Sequence, residues 1–550
     1  MTGLSPLGLG LQHGQIFPEE PWGLPNRFRV LPTFLPKEYA SHLVGKWHLG
    51  HYSAEQLPTA RGFDSFFGPV DGAQYYSTHL DAMKCRLPRE LLESGLWNST
   101  RLRAVVRGSG CYFDMRDGTR RVEDLLGTYS TSLYADKAKG IIATHDSHNP
   151  LFLIVSFNAV HAPVWAPTDF SETHPGVLEG IKNADRRKFA AALRLVDDAI
   201  EEVVGALQAS GLYENTVVAF ASDNGANPEH GGSNSPLRGS KGYLFEGGVR
   251  VPAFLRAPAF LPRGTRYEGL FHVTDWLPTL VEGVAGGSWD HGEEPTPYDR
   301  SFPLEQRRRR RRRESTAAAA AADRRAAAAL EAYFESVNAT LEGMNLWFDL
   351  AAAAADETAE FPRTEVLLNI NYLDASLEYT SEPLGYDTAA IIARGWKCVV
   401  NSGDLGWYAT PEAPDAKVSL DTLGSTQIRV AEPHTYLFYL PEDPEERDNL
   451  AATYPEVLDV LAYRLLEYRT QMRPCEWRPE DPDASVQFRT DDFVGPWWNG
   501  DEPPPLSPNC LDGFGDHAVA RFRPPGRRSL DRNNNTASRR RRRDRYGYDW

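Results

Sequence analysis

Long apolar runs and an excess of positive charge are both missing from this 550-residue sequence. The longest apolar stretch, LFLIVSFNAV at 151–160, has ten residues, whereas a membrane-spanning helix needs about 18 to 20. Acidic residues outnumber basic ones by 75 to 59, for a net charge of −16, which argues against a nucleic-acid-binding protein. These absences predict a globular protein with no membrane span and no nucleic-acid partner.

Cysteines are few, and no two of them form a C-x-x-C pair, so their spacing does not support a zinc site. The five are Cys85, Cys111, Cys398, Cys475 and Cys510. The first residues, MTGLSPLGLGLQHG, lack the basic and apolar segments of a secretory signal. Three Asn-x-Ser/Thr triplets, at positions 98, 338 and 534, are nevertheless compatible with glycosylation. We therefore expect passage through the secretory pathway to a lysosomal or extracellular location.

Composition divides the chain into four segments. A first domain at 1–287 is followed at 288–360 by a low-complexity insertion, which contains RRRRRRR at 307–313 and several alanine runs. This insertion has little to bury and is expected to be mobile. A small α+β domain follows at 361–496, with strands in AAIIARGWKCVV and YLFYL and a helix in YPEVLDVLAYRLLEYRTQM. A mobile Pro/Arg-rich tail is predicted at 497–550.

The first domain contains a predicted strand, helix and strand in succession. The apolar strand at 151–160 precedes a helix at 186–208, in which apolar residues recur every three or four positions. A second strand, TVVAFAS at 216–222, follows. Strands that are apolar on both faces and alternate with helices are typical of a parallel sheet between layers of helices. The sequence therefore predicts an α/β fold.

Polar residues follow both of these strands. His161 comes after the first strand, and Asp223 and Asn224 come after the second. Taken singly, His161 is a loop residue before a proline, and Asp223-Asn224-Gly225 is a turn. Ligands of open α/β sheets bind at the carboxyl ends of strands, however, so the three together indicate a site. Two oxygen-bearing side chains suit calcium or magnesium better than zinc.

Two further segments carry basic side chains. In HLVGKWHLG, Lys46 and His48 share one face if the segment is a strand, and Lys241 lies in the glycine-rich stretch SNSPLRGSKGYLFEGGVR. A half-buried strand and a surface loop are the simpler interpretations. Two lysines and two histidines together suit a tetrahedral oxyanion, because cations stabilise its charge and a histidine can protonate a leaving alcohol. No nucleophile elbow accompanies them.

The segments that carry these residues resemble the sulfatases, and within them the arylsulfatase B (N-acetylgalactosamine-4-sulfatase) group. The matching stretches, which cover most of 10–498 in the same order, are GLQHGQI, VGKWHLGHYSAEQLPTARGFDSFFG, NAVHAP, SDNG, GGSNSPLRGSKGYLFEGGVR, HVTDWLPTLV, GWK, DPEERDNLA and VGPWW. This resemblance implies an alkaline-phosphatase-like sheet covered by helices on both faces and a smaller C-terminal domain. It also implies a calcium ion and hydrolysis of a sulfate ester, either of a sulfated carbohydrate or of an aryl alcohol.

The resemblance also implies roles for individual residues. The side chains that would hold the sulfate and assist the leaving group are Lys46, His48, His161 and Lys241. The metal ligands would be Asp223 and Asn224. Pairing within the family implies a disulfide between Cys85 and Cys111.

The start of the chain departs from the family pattern. Sulfatases make their nucleophile, formylglycine, from the cysteine of a C-x-P-S-R-x-x-L-x-T-G signature, and Met1-Thr2-Gly3 resembles only its last three positions. Two metal-binding aspartates and the first strand of the family also precede the matching stretches. We therefore expect formylglycine only in a chain extended upstream, and we expect this chain to be inactive.

Two alternatives to a sulfatase that cleaves sulfate esters remain. The first is a non-catalytic sulfatase relative that binds sulfated glycans through Lys46, His48, Lys241 and the arginine run at 307–313. The second is a phosphatase of the same superfold, which is weaker because that group lacks the GKWHLG match.

Overall fold

The computed structural model describes most of the chain outside the Arg/Ala-rich segment and the C-terminal tail. The described residues are 1–12, 15–83, 85, 111–290, 317–337, 339–353, 361–370, 389–402, 406–407, 434–469, 471–473, 475–491 and 493–498. The arginine run at 307–313 and nearly all of the tail at 497–550 lie outside these residues, so the expectations for them stay predictions. The proposed boundaries at 287 and 360 stay predictions.

A mixed sheet of five strands forms the centre of the larger domain. The strands are β1 (Ala40–Gly45), β2 (Ser65–Gly68), β3 (Arg116–Asp117), β4 (Arg120–Arg121) and β5 (Leu151–Ser156), in the order β4-β3-β2-β1-β5. β1 pairs in parallel with both β2 and β5, as the predicted α/β fold requires. β5 ends at Ser156 rather than at 160, because the polar residues Ser156 and Asn158 lead into the loop that carries His161.

Two helices pack on each other beside this sheet, α1 (Ser130–Thr144) and α2 (Ala184–Ala209). Helix α2 confirms the helix predicted at 186–208. Asn183 caps its start, since its side-chain oxygen accepts the backbone N–H of Arg186 at 3.0 Å. One member of the predicted apolar face, Leu193, is 49% exposed. Two other members of that face, Val196 and Leu207, are buried, together with Ala191, Ala192 and Ala199.

The predicted continuation of the parallel sheet into the strand at 216–222 is wrong. β6 (Val218–Ala221) pairs antiparallel with β7 (Ala253–Arg256) in a separate two-stranded sheet, and none of the described strands joins it to β5. Its side chains alternate between half-buried and exposed. Two strands alone leave edges and a face open, so β6 is not buried on both faces.

The small domain has an antiparallel sheet, as predicted for an α+β unit. Its strands are β8 (Glu365–Ile370), β9 (Ala389–Ala393), β10 (Trp396–Ser402) and β11 (His434–Tyr439), in the order β11-β10-β9-β8. The stretch AAIIARGWKCVV forms the β9–β10 hairpin. Its two turn residues, Arg394 and Gly395, have φ angles of 47° and 83°, as a tight hairpin turn requires.

The expectation that the alanine runs bury little is wrong for residues 317–336. This segment forms helix α3 (Ala317–Ser336), which packs on the helix predicted in the small domain, here α5 (Pro455–Arg469). Asp323 accepts hydrogen bonds from the first backbone N–H groups of α5, where a negative charge is favourable. The side chains that α3 buries in the common core are Ala327, Leu330 and Phe334.

Shorter elements complete the described chain. They are helices α4 (Trp347–Ala353) and α6 (Pro482–Asp491), single α-helical turns at Pro6–Leu9, Phe170–Thr173, Glu246–Val249 and Trp276–Pro278, and a π-helical turn at Thr279–Val284. The 3₁₀ turns are Leu31–Phe34, Ala54–Gln56, Pro58–Arg61, Tyr213–Asn215, Pro228–His230 and Val273–Asp275. No helix within the described ranges is long and apolar enough to cross a membrane. The disulfide implied between Cys85 and Cys111 is confirmed.

Candidate active site

Lys46 directly follows β1 and lies beside the end of β5. Its backbone N–H donates to the carbonyl of Ser156 at 2.8 Å. Gly45 makes this approach possible, since its φ is 100° and a Cβ there would lie 2.0 Å from the Ser156 oxygen. The predicted strand face shared by Lys46 and His48 is wrong, because β1 ends at Gly45 and His48 has a φ of 52°. A turn, not a strand, therefore places these two side chains.

His48 and His161 are both held through one ring nitrogen. Nε2 of His48 is 2.9 Å from the carbonyl oxygen of Ile16, and Nδ1 of His161 is 2.7 Å from that of Ala162. The carbonyl of His161 also accepts the hydroxyl of Tyr76 at 2.8 Å. A neutral imidazole donates from the nitrogen that faces a carbonyl, so Nδ1 of His48 and Nε2 of His161 are left as proton acceptors.

Asp223 and Asn224 form a turn directly after β6. The Asp223 carboxylate accepts the backbone N–H of Asn224 at 2.9 Å, and the Asn224 side-chain N–H donates to the carbonyl of Gly225 at 2.8 Å. Gly225 packs against the turn at Glu246–Val249, where its N–H donates to Gly248 at 2.9 Å. Asp223-Asn224-Gly225 therefore forms a turn, as its sequence predicts. This turn is hydrogen-bonded to the loop that carries Lys241.

Lys241 is positioned by hydrogen bonds of its loop to the same turn. Its backbone N–H donates to the carbonyl of Ala226 at 3.2 Å. Asn234 joins the two segments, since its side chain bonds both backbone groups of Ala226 and the carbonyl of Gly239. Asn234 was not among the predicted site residues, because nothing in the sequence shows which backbone groups a loop asparagine will meet.

The basic side chains influence one another's protonation. Burial, followed by the charge of Lys46, lowers the pKa of His48 to about 3. Burial, followed by the charges of Lys241 and Lys46, lowers that of His161 to about 3. Burial also lowers the pKa of both lysines, and Asp223 opposes this effect. Since charges affect a pKa strongly only at short range, the structure brings these five side chains together.

His230, which is not among the predicted site residues, also belongs to this neighbourhood, because its charge contributes to lowering the pKa of His161. Near neutral pH His48 and His161 are therefore neutral, and the positive charge of the cluster comes from Lys46 and Lys241. This excess of positive charge favours an anion. A bound anion would in turn raise the pKa of the histidines and allow one of them to act as a proton donor.

The metal ligands predicted from the sequence do not complete a calcium site by themselves. Asp223 and Asn224 provide two oxygen-bearing side chains, whereas calcium takes six to eight oxygen ligands. In the part of the chain that the structure describes, no group of three or more histidine, cysteine or acidic side chains is arranged to hold a metal ion. The residues present therefore do not fit a tightly bound calcium ion.

Buried carboxyl groups lie next to the cationic cluster, where Asp71 influences the pKa of Lys46. Burial raises the pKa of Asp71 well above its usual range, and the neighbouring Asp81 raises it further. Burial raises the pKa of Asp114 to about 7, although its carboxyl group accepts the backbone N–H groups of Val70 and Asp71 at 2.9 Å. Protonation of Asp71 removes the repulsion between its carboxyl group and that of Asp81.

The contribution of Asp114 to stability is expected to fall as the pH rises. In the folded protein this carboxyl group has a pKa of about 7 and keeps its proton up to that pH. In the unfolded chain its pKa has the ordinary value of 3.8, so the proton is lost at lower pH. The contribution is therefore complete below about pH 4 and lost as the pH passes 7. Thermal unfolding from pH 4 to 8 should show a shallower decline for Asp114→Asn than for the wild type. Parallel curves would contradict this assignment.

Comparison with known proteins identifies the family. The sulfatase family profile matches residues 1–286. Arylsulfatase J from Mus musculus is 31% identical over 515 residues, which are 90% of this chain and 71% of that protein. N-acetylgalactosamine-6-sulfatase from Homo sapiens is 30% identical over 271 residues, 47% of this chain and 45% of that protein, so the chain spans under half of this relative.

Solved structures agree on the fold. Ps i-CgsB in complex with k-i-k-neocarrahexaose has a TM-score of 0.60 at 20% identity, over 89% of this chain and 85% of that one. PsFucS1 sulfatase from Pseudoalteromonas sp. has a TM-score of 0.54 at 18% identity, over 86% of this chain and 79% of that one. These likenesses confirm the alkaline-phosphatase-like fold with a smaller second domain. The 4-sulfatase subtype stays a prediction. The chain belongs to the sulfatases, a family of sulfuric ester hydrolases.

Proposed function

We propose that the cationic cluster binds the sulfate group of a sulfated sugar. The observation that carries this proposal is that the turn after β1, the loop after β5 and the loop of Lys241 bring Lys46, His48, His161 and Lys241 together, so that the lysine charges act on both histidines. Relatives include an N-acetylgalactosamine-6-sulfatase, which supports a sulfated sugar over a simple aryl sulfate. The sequons and the Cys85–Cys111 disulfide support a secretory location.

The chain's own residues supply binding and proton transfer for ester cleavage. Lys46 and Lys241 neutralise the sulfate oxygens, and their positions are fixed before the ester arrives, which is the condition for stabilising developing charge. Nε2 of His161 takes up a proton when the anion is bound and gives it to the leaving alcohol oxygen. The sulfur–oxygen ester bond then breaks with its electron pair on that oxygen, while a water oxygen bonds to the sulfur and releases its protons to the solvent, and the product leaves as inorganic sulfate.

A nucleophilic thiol is not supplied by the described cysteines. Cys85, Cys111 and Cys475 are in disulfides, and Cys398 is fully buried in β10 of the small domain, with its pKa raised by burial to about 12. Cys510 lies outside the described residues. This distribution favours a second candidate function, in which this 550-residue chain binds sulfated glycans without cleaving them.

One experiment separates the two candidates. The purified chain is titrated calorimetrically with a sulfated N-acetylgalactosamine and, as a control, with the unsulfated sugar. Release of inorganic sulfate is then measured at saturating sulfated sugar. Binding without release supports the glycan-binding candidate, whereas release with multiple turnovers supports hydrolysis by this chain. Equal affinity for the two sugars would contradict sulfate recognition by this site.

Calcium is expected to bind weakly to this chain. Asp223 and Asn224 alone leave most of the coordination sphere to water, and the nearby charges of Lys46 and Lys241 repel a cation. Calorimetric titration with calcium chloride should show no stoichiometric binding at micromolar concentrations. Tight binding that Asp223→Asn abolishes would mean that other carboxylates complete the site.

A further inference from the structure

A buried ion network connects the small domain with the loop of Lys241. Nζ of Lys397, on β10, lies 2.9 Å from Oε1 of Glu246 and 2.8 Å from Oε1 of Glu446. The residue exposures are 0% for Lys397, 4% for Glu246 and 0% for Glu446. One lysine therefore bridges two carboxylates that come from different parts of the chain.

A second cation balances the network. Arg238 is buried, and its Nη1 donates to the carbonyl of Glu446 at 3.3 Å. Its guanidinium lies over the rings of Phe245 at 4.4 Å and Tyr436 at 4.8 Å. Two positive and two negative groups are thus enclosed together, which lowers the cost of burying each.

The network continues into the candidate site through the backbone. Oε2 of Glu446 accepts the N–H of Glu246 at 2.7 Å, which fixes the start of the Glu246–Val249 turn. Gly247 in this turn donates to the carbonyl of Arg238 at 2.6 Å, and Gly248 accepts the N–H of Gly225 at 2.9 Å. The same turn therefore holds the segment that leads to Lys241 and the segment that follows Asp223.

We propose that Lys397 is a positioning residue for anion binding, which fixes Lys241 and the Asp223–Asn224 turn through Glu246 and Glu446. This proposal rests on the cationic cluster as the sulfate site. Without the ammonium group, two buried carboxylates face each other, and their repulsion moves the Glu246–Val249 turn. Lys241 is then displaced from the bound anion even though Lys397 itself never contacts it.

The test compares Lys397→Met with a matched control, Lys137→Met. Lys137 is a partly exposed lysine whose Nζ also lies near a carboxylate, 3.4 Å from Asp117, but in α1. Calorimetry with inorganic sulfate is run on folded protein, well below the unfolding temperature of each variant. We expect about tenfold weaker binding for Lys397→Met and no more than a twofold change for Lys137→Met.

A spectroscopic readout distinguishes this proposal from the assignment of the site. Lysines are reductively methylated with a ¹³C label, and the Lys241 signal is identified by its loss in Lys241→Arg. The signal should shift in Lys397→Met but not in Lys137→Met, whether or not the wild type binds sulfate. An unchanged Lys241 signal in folded Lys397→Met overturns the positioning role. Failure of the wild type to bind sulfate, with the shift present, overturns only the assigned ligand.

A rescue variant addresses general destabilisation. In Lys397→Met combined with Glu446→Gln, the new amide oxygen can still accept the N–H of Glu246, and its NH₂ can donate to the Glu246 carboxylate. This double variant should restore the Lys241 signal and most of the sulfate affinity. If Lys397→Met does not fold, the double variant is compared with the wild type directly. A double variant that folds but keeps the displaced signal contradicts the proposal.

Discussion

Replacing Lys46 with methionine is expected to weaken binding of inorganic sulfate by about 10- to 100-fold. Hydrogen bonds to charged groups contribute about 1.5 to 3 kcal/mol, and each 1.4 kcal/mol is about a tenfold change in affinity. Lys46 is half-buried, and its backbone is fixed between β1 and β5 by the bond to Ser156. The methionine side chain keeps the length and the apolar contacts, so the loss reports the charge. Isothermal titration at low ionic strength measures it.

The matched control is Lys188→Met, which removes the same charge from an exposed position on α2. Both variants lose one unit of positive charge, so the difference between them reports the contribution that depends on the position of Lys46. Added salt should weaken the effect of Lys188→Met more than that of Lys46→Met, because exposed charges are screened more strongly. Equal affinities for the two variants would contradict a sulfate site at Lys46.

Local patterns in the sequence predicted the elements whose formation depends on neighbours along the chain. Helix α2 was predicted from its repeat of apolar residues, and strands β9 and β10 were predicted from the apolar stretch AAIIARGWKCVV. The rule that ligands bind at the ends of strands selected His161 and Asp223, and the structure brings both near Lys46. These inferences hold because periodicity and turn chemistry are local properties.

Other features depend on contacts between distant segments. Nothing in the sequence near β6 indicates that its hydrogen bonds go to β7 and not to β5, because the choice of a strand's partner depends on contacts that are distant in sequence. The alanine-rich helix α3 was predicted to have little to bury, yet its residues Leu330 and Phe334 share a common core with α5. The sequence likewise does not predict that a charged residue such as Lys397 is buried, because most lysines in folded proteins are exposed.

Arg464 at the centre of the small domain should be among its most sensitive positions. Its exposure is 2%, and its Nε and Nη2 lie 2.7 and 2.9 Å from the two carboxylate oxygens of Glu365 on β8. Nη1 contacts Glu467 at 2.8 Å, and Nη2 donates to the carbonyl of Val337 at 3.1 Å. One guanidinium thus joins α5, β8 and the segment that follows α3.

Arg464→Met is expected to lower the free energy of unfolding by about 3 to 5 kcal/mol, the usual cost of leaving one partner of a buried ion pair unpaired. The carboxylate of Glu365 then stays buried without its bidentate partner. Arg464→Lys should also destabilise the protein, because an ammonium group cannot bond both oxygens of Glu365 and the Val337 carbonyl in the same planar geometry. Urea denaturation followed by circular dichroism measures both variants.

The decisive comparison is Arg464→Met combined with Glu365→Met. Removing both charges replaces the ion pair with apolar contacts of similar volume, which is often neutral or stabilising, so the double variant should recover much of the lost stability. Arg447→Met, at an arginine whose side chain is 57% exposed, serves as the control and should change stability by less than about 0.5 kcal/mol. A double variant as unstable as the sum of its single variants would show that Arg464 acts through packing on Phe334, 4.6 Å from its guanidinium carbon, and not through its ion pair.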